Sequence, residues 1–163
     1  METVAEFVLG NDYEHVDVLS LIEEDHKPLK DLIHRMQDIY LSDDERIKAF
    51  HDFTSLFLPH VRAEEASLYE YMKTKPEFIH DAFDGETEHA VAEQLCADIR
   101  ATTDGHCVVG KIKVLAEIAG HHIFQEEHDV FPRLRDEINA HKLERLVRSY
   151  VMAETQAIET VAQ

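Results

Sequence analysis

Four stretches of the chain carry core-type residues at steps of three and four, and every one of these seams is interrupted by histidine. The first reads Leu19, Ile22, His26, Leu29, Ile33, Met36, Tyr40, and the second Phe50, Phe53, Phe57, His60, Glu64, Leu68, Tyr71. The third reads Phe78, Ala82, Gly85, His89, Ala92, Cys96, Ile99, and the fourth Val108, Ile112, Leu115, Ala119, His122, Glu126, Val130. Such steps keep one stripe of an α-helix against a partner. With only five Gly and four Pro in 163 residues, strands and tight hairpins have little support.

The seams predict helices near 17–40, from 43 to about 73, from 76 to about 103 with an interruption near Gly85, and from about 108 to 131. Ser42-Asp43-Asp44-Glu45 reads as a capping box opening the second helix. Pro28 and Pro59 predict kinks, and Pro132 stops or bends the fourth helix. A fifth amphipathic stretch, about 133–155 with Ile138, Leu146 and Tyr150, packs outside the others or extends the fourth. The expected fold is all-α: an antiparallel up-down four-helix bundle with an N-terminal arm over 1–15 and an additional C-terminal helix. One domain is expected over 1–163, with its core at about 17–135.

A formal net charge of −18 argues against nucleic acid and anionic membrane surfaces, both of which need a basic face. The two cysteines, Cys96 and Cys107, form no CxxC pair and imply no disulfide framework, which points to a reducing, cytoplasmic location. The start, METVAEFVLG, lacks the pattern of a signal peptide, and no stretch reaches the roughly 18 apolar residues of a membrane span.

The polar interruptions repeat. Residues 60–71, HVRAEEASLYEY, share with residues 122–133, HIFQEEHDVFPR, a pattern of His, branched apolar residue, Glu-Glu and a following aromatic. Upstream, EEDH ends at His26 and ETEH ends at His89. His26 precedes His60 by 34 residues and His89 precedes His122 by 33. Each half therefore reads as a helical hairpin with one His on its first helix and HxxxEE on its second, the two related by pseudo-twofold symmetry.

Residues i and i+4 share a helix face, so His60 with Glu64, and His122 with Glu126, each aim two ligand atoms at one place. One such pair alone is ordinary on a solvated helix face, and a lone seam histidine is ordinary in a core. Six polar groups on seams are different. An unsatisfied buried polar group costs about 1–3 kcal/mol, so six cost about 6–18 kcal/mol, comparable to a domain's net stability of about 5–15 kcal/mol. A His⁺/Glu⁻ network could answer this, but buried ion networks stabilise little. Metal answers it better. Imidazole and carboxylate without thiolate suit Fe, Mn or Zn, and six N/O ligands in a bundle suit two ions.

His26, His60-x-x-x-Glu64, His89 and His122-x-x-x-Glu126, in that order over about residues 17–135, resemble the hemerythrin-like (HHE cation-binding) family. The resemblance implies a non-heme di-iron centre, oxo- or hydroxo-bridged, with Mn or Zn as substitutes. Glu64 and Glu126 would be the bridges, and His26, His60, His89 and His122 the terminal ligands. The oxygen carriers of the family have HxxxH on the third helix, whereas Glu93 stands four residues after His89 here. Glu93 is therefore a further candidate ligand. The carriers' last carboxylate stands five residues after the final His, at Glu127 here; the seam favours Glu126. The resemblance implies binding or sensing of O2, NO or H2O2, with peroxide- or NO-directed redox catalysis and iron buffering as the alternatives. It fixes no oligomeric state.

Overall fold

The computed structural model describes residues 16–161, and the arm expected over 1–15 lies outside them. Among the described residues there is no strand, and no helix is long and apolar enough to cross a membrane. The long helices are α1 (Val18–Gln37), α2 (Asp43–Glu64), α3 (Ile79–Ala101) and α4 (Gly105–Gln125). A short α5 (Phe131–Glu137) continues α4, and α6 (Ala140–Val161) follows. The chain is all-α, as expected.

Local chemistry sets the boundaries. Asp17 caps α1, its carboxylate accepting from the Ser20 amide at 2.9 Å. The Ser42–Glu45 capping box opens α2 in both directions. Arg46 then reaches back, donating to the carbonyls of Asp38 and Leu41 at 2.9–3.0 Å, which satisfies groups left open where α1 ends. Asp104 caps α4 by accepting from the Cys107 amide.

Contacts along each pair of neighbours run in opposite chain directions. Arg46 meets Asp38 at one end of α1–α2, while His60 meets His26 further along. Lys111 bonds Thr102, while His122 meets His89. Arg62 pairs with Glu93, and Tyr69 lies over Gly85. His26 faces Glu126, and Ile33 faces Gly120. The four long helices therefore alternate up and down around the core. Helix α6 packs on α2 and α1, so the fifth stretch both extends α4, through α5, and returns along the outside of the bundle.

Several local expectations shift. Helix α1 ends at Gln37, leaving Tyr40 in the turn and 90% exposed. Helices α1 and α2 are continuous through Pro28 and Pro59, and α3 is continuous through Gly85. Helix α4 begins at Gly105, three residues early. Most informative are two π-helical turns, Glu65–Tyr69 and Glu126–Val130, which begin at the second Glu of the first HxxxEE repeat and at the first Glu of the second. A π turn inserts a residue and rotates the face that follows. Tyr69 and Phe131 are thus buried where the seams pointed to Tyr71 and Val130, which are half-buried.

Two apolar clusters fill the interior. One gathers Leu29, Ile33, Phe50, Phe53, Phe57, Ile112 and Leu115 toward the α1–α2 turn. The other gathers Leu19, Ile22, Leu68, Tyr69, Phe131, Val147 and Tyr150 toward the opposite end, under α6. All six predicted ligands fall between them and are buried.

Candidate metal centre

Five of the six residues converge as two triads that share one carboxylate, and the sixth, Glu126, lies beside both. His26, His60 and Glu64 offer ligand atoms within 4.8 Å of one another, and so do Glu64, His89 and His122. The Oε1 atom of Glu64 lies 3.7 Å from His26 Nε2 and 3.2 Å from His60 Nε2, while its Oε2 lies 3.2 Å from His89 Nε2. Glu126 Oε2 lies 3.3 Å from His26 Nε2 and 3.6 Å from His122 Nε2, so it also faces both halves.

These approaches are close but misaligned. His26 Nε2, His60 Nε2, both Glu64 oxygens and Glu126 Oε2 are buried and make no hydrogen bond. Their lone pairs and protons face a common space rather than one another. The Nε2 atoms of His89 and His122 stand 3.0 Å apart, the separation of neighbouring nitrogen donors on one ion with bonds of about 2.1 Å. Only a shared proton or a cation makes that contact favourable. The donor set, nitrogen and oxygen without thiolate, fits a divalent first-row metal.

Each imidazole is held from behind. His26 Nδ1 lies 3.0 Å from Glu127, which Lys30 also grips at 2.8 Å. His89 Nδ1 lies 3.0 Å from Glu65, and His122 Nδ1 lies 2.6 Å from Glu88. His60 Nδ1 donates to the Tyr150 hydroxyl at 2.9 Å, and that hydroxyl donates to Asp25 at 2.5 Å. An acceptor at Nδ1 fixes the tautomer whose Nε2 lone pair points inward, the usual support of a metal-binding histidine.

None of these acceptors was singled out as such from the sequence, yet every acid among them is the chain neighbour of a predicted ligand. Asp25 precedes His26, Glu65 follows Glu64, Glu88 precedes His89 and Glu127 follows Glu126. In each repeat the first Glu of the pair turns inward, and the second serves the histidine of a neighbouring helix. The doublets EE, DH and EH were the available signal. Tyr150, on α6, left none.

The halves also differ in a hydroxyl beside the inward carboxylates. Tyr69 stacks on His89 at 5.3 Å and Phe131 stacks on His26 at 6.1 Å, in matching positions. Tyr69 donates to Glu126 Oε1 at 2.6 Å; Phe131 has nothing to donate, so Glu64 keeps both oxygens for the centre. Gly85 makes room for Tyr69, since a Cβ there would lie 2.5 Å from its hydroxyl.

Glu93 belongs to neither triad. It is half-buried between α2 and α3, where Oε2 pairs with Arg62 at 2.6 Å. The other seven described histidines, His34, His51, His80, His106, His121, His128 and His141, are exposed.

The charges follow the geometry. Burial opposes a proton on His60, but Glu64 and Asp25 outweigh it and raise the imidazole to about 9. His89, against Glu64 and Glu65, rises to about 10 by the same balance, and His26 is raised well above its usual value by Glu126, Glu127 and Glu64. Burial would lift Glu64, yet the three imidazoles hold it well below the usual carboxylate range. Glu127 falls to about 2 beside His26 and Lys30. Without metal the centre is thus a cage of protons that a cation must displace.

Comparisons with known proteins bear on the family and the fold. The family model for the Hemerythrin HHE cation binding domain matches residues 17–134. No curated protein matches the chain. Among solved structures, a Hemerythrin HHE cation binding domain-containing protein of Mycobacterium kansasii, an Rv2633c homolog, superposes with a TM-score of 0.69 over 90% of each chain at 18% identity. At that identity the likeness speaks for the fold.

Proposed function

The chain belongs to the hemerythrin HHE cation-binding domain family, and from that premise we propose that it holds two iron ions and binds or senses O2 or a related small oxidant, NO or H2O2. The carrying observation is the pair of buried triads sharing Glu64, whose inward atoms lack hydrogen-bond partners while each imidazole is braced at Nδ1. His26, His60 and Glu64 would hold one ion and His89, His122 and Glu64 the other, with Glu126 facing both. Bound iron supplies one-electron chemistry between ferrous and ferric states and a coordination position for a small molecule. Mn or Zn would fit the same donors.

The protein's own groups do the rest. Glu127, Glu65 and Glu88 keep His26, His89 and His122 in the ligating tautomer. Tyr150 passes the same constraint from Asp25 to His60. The two apolar clusters exclude bulk water from either end, which limits side reactions and tunes the potential of a bound metal. Glu93, tied to Arg62, leaves the His89/His122 half without a fifth imidazole, which favours small-molecule binding or redox turnover over the carriers' five-His arrangement. Two free thiols, Cys96 and Cys107, suit a reducing cytoplasm.

The test is metal quantitation and absorption spectroscopy on protein expressed with iron, then anaerobic reduction and readmission of air. About two irons per chain and a charge-transfer band that returns with air support the reading. Irreversible oxidation with peroxide turnover shifts it to a redox enzyme, and a large excess of iron shifts it to buffering. Protein that binds no metal overturns it.

A further inference from the structure

The two halves of the centre are not equally reachable. A cavity of about 70 Å³ has His122, Glu126 and Tyr69 at its floor and Asp84, Gln125 and Asp129 at its lip. The floor residues are buried and the lip residues exposed, so the space runs from solvent to the His89/His122 half. Glu126 Oε2, buried and without a hydrogen bond, belongs to that floor. Among the described residues, no cavity found here is lined by His26 or His60. His60 is backed by buried Tyr150 of α6, whereas His122 is backed by Glu88, which lines the cavity. Three larger grooves elsewhere on the surface are lined by none of the six ligand residues.

We propose, resting on the dinuclear reading above, that this cavity is the access route of the centre: cations and small uncharged molecules reach and leave the His89/His122 half through it, while the His26/His60 half is sealed. Size and charge select what passes. With about 70 Å³ open to water-sized species, the cavity takes a few waters or a comparably small molecule. The walls carry Asp81, Asp84, Glu88 and Asp129, and Arg133, which pairs with Asp81 and Asp129, offsets only part of that charge. Anions are disfavoured, and O2, NO and H2O2 are not. Gly85 keeps the floor in place by accommodating Tyr69.

The test uses the full chain loaded with Co(II) and stripped by excess EDTA, followed by the visible absorbance of the bound ion. The expected result is two phases of equal amplitude. Gln125→Trp and Asp84→Trp, on opposite parts of the exposed lip, slow the fast phase at least tenfold and leave the slow one. Met152→Trp, exposed on α6, changes neither. A single phase for both ions, or a fast phase at the parent rate in both lip variants, overturns the proposal. A chain that binds fewer than two Co(II) ions instead overturns the dinuclear reading. Melting curves of the metal-free variants identify any lip substitution that damages the fold, and the other lip variant then decides.

Discussion

Glu64→Gln separates a metal centre from a buried ion network, because Glu64 is the one residue common to both triads. The substitution keeps volume and shape but puts an amide where one half needs a carboxylate oxygen. Two costs follow. In metal-free protein three imidazoles lose the acid that holds their protons, and breaking a buried ion pair costs about 3–5 kcal/mol. In loaded protein the stabilisation by metal is lost as well. At free metal about 1,000-fold above Kd each ion contributes about 4 kcal/mol. For a chain of this size that is about 8–16 °C in melting temperature per ion, at about 2–4 °C per kcal/mol. Fold damage lowers both melting temperatures alike, so the loaded-minus-free difference is the quantity that decides. Differential scanning calorimetry with and without Fe(II) under argon, with metal analysis of the same samples, measures it. The expected outcome is a difference cut by half or more and at most one ion retained; His80→Ala, an exposed control, keeps both. A Glu64→Gln protein with two ions and the full thermal increment refutes the shared-carboxylate reasoning.

Further outcomes follow from the same geometry. His60 and His89, raised to about 9 and about 10 by folding, stabilise the metal-free protein fully below their unfolded value near 6.5. That contribution is lost as pH climbs through the folded values, so metal-free stability falls from about pH 6.5 to about pH 10. Metal affinity moves the opposite way across neutral pH, because cations displace those protons; denaturant melts and competition titrations at several pH values check the two signs. Tyr150→Phe removes the hydroxyl between His60 and Asp25, and should weaken one of two ions by about 10–100-fold in calorimetric titration while sparing the other. Azide should bind Co(II)-loaded protein weakly at low salt, and Asp84→Asn should tighten it several-fold, a gain that fades as salt screens the lip.

The seams carried most of this fold. Leu19, Ile22, Leu29, Ile33, Phe50, Phe53, Phe57, Ala92, Cys96 and Ile112, placed in the interior by spacing alone, are buried. The six polar interruptions are buried with them and meet at one place, because a residue type that breaks a seam in register on four helices must be compensated at one level of the bundle. Spacing failed where the helix itself changed. The π turns at Glu65–Tyr69 and Glu126–Val130 rotate the chain from within each Glu-Glu pair, so a steady period of 3.6 carried the seams on to Tyr71 and Val130, which end half-buried, while Tyr69 and Phe131, aromatic residues that suited a core around the site, are buried. The Nδ1 partners were hidden for another reason. They are off-seam acids, and an off-seam Glu beside a ligand reads as solvated until the neighbouring helix is in place. Tyr150 was visible only as a core residue of a fifth helix, with no periodic relation to His60, 90 positions away.

The most direct measurement is a crystal structure of iron-loaded protein with anomalous differences recorded at the iron edge. The account predicts two peaks, one on either side of the Glu64 carboxylate, the first among His26, His60 and Glu64 and the second among Glu64, His89 and His122. A single peak, or none between these side chains, contradicts it.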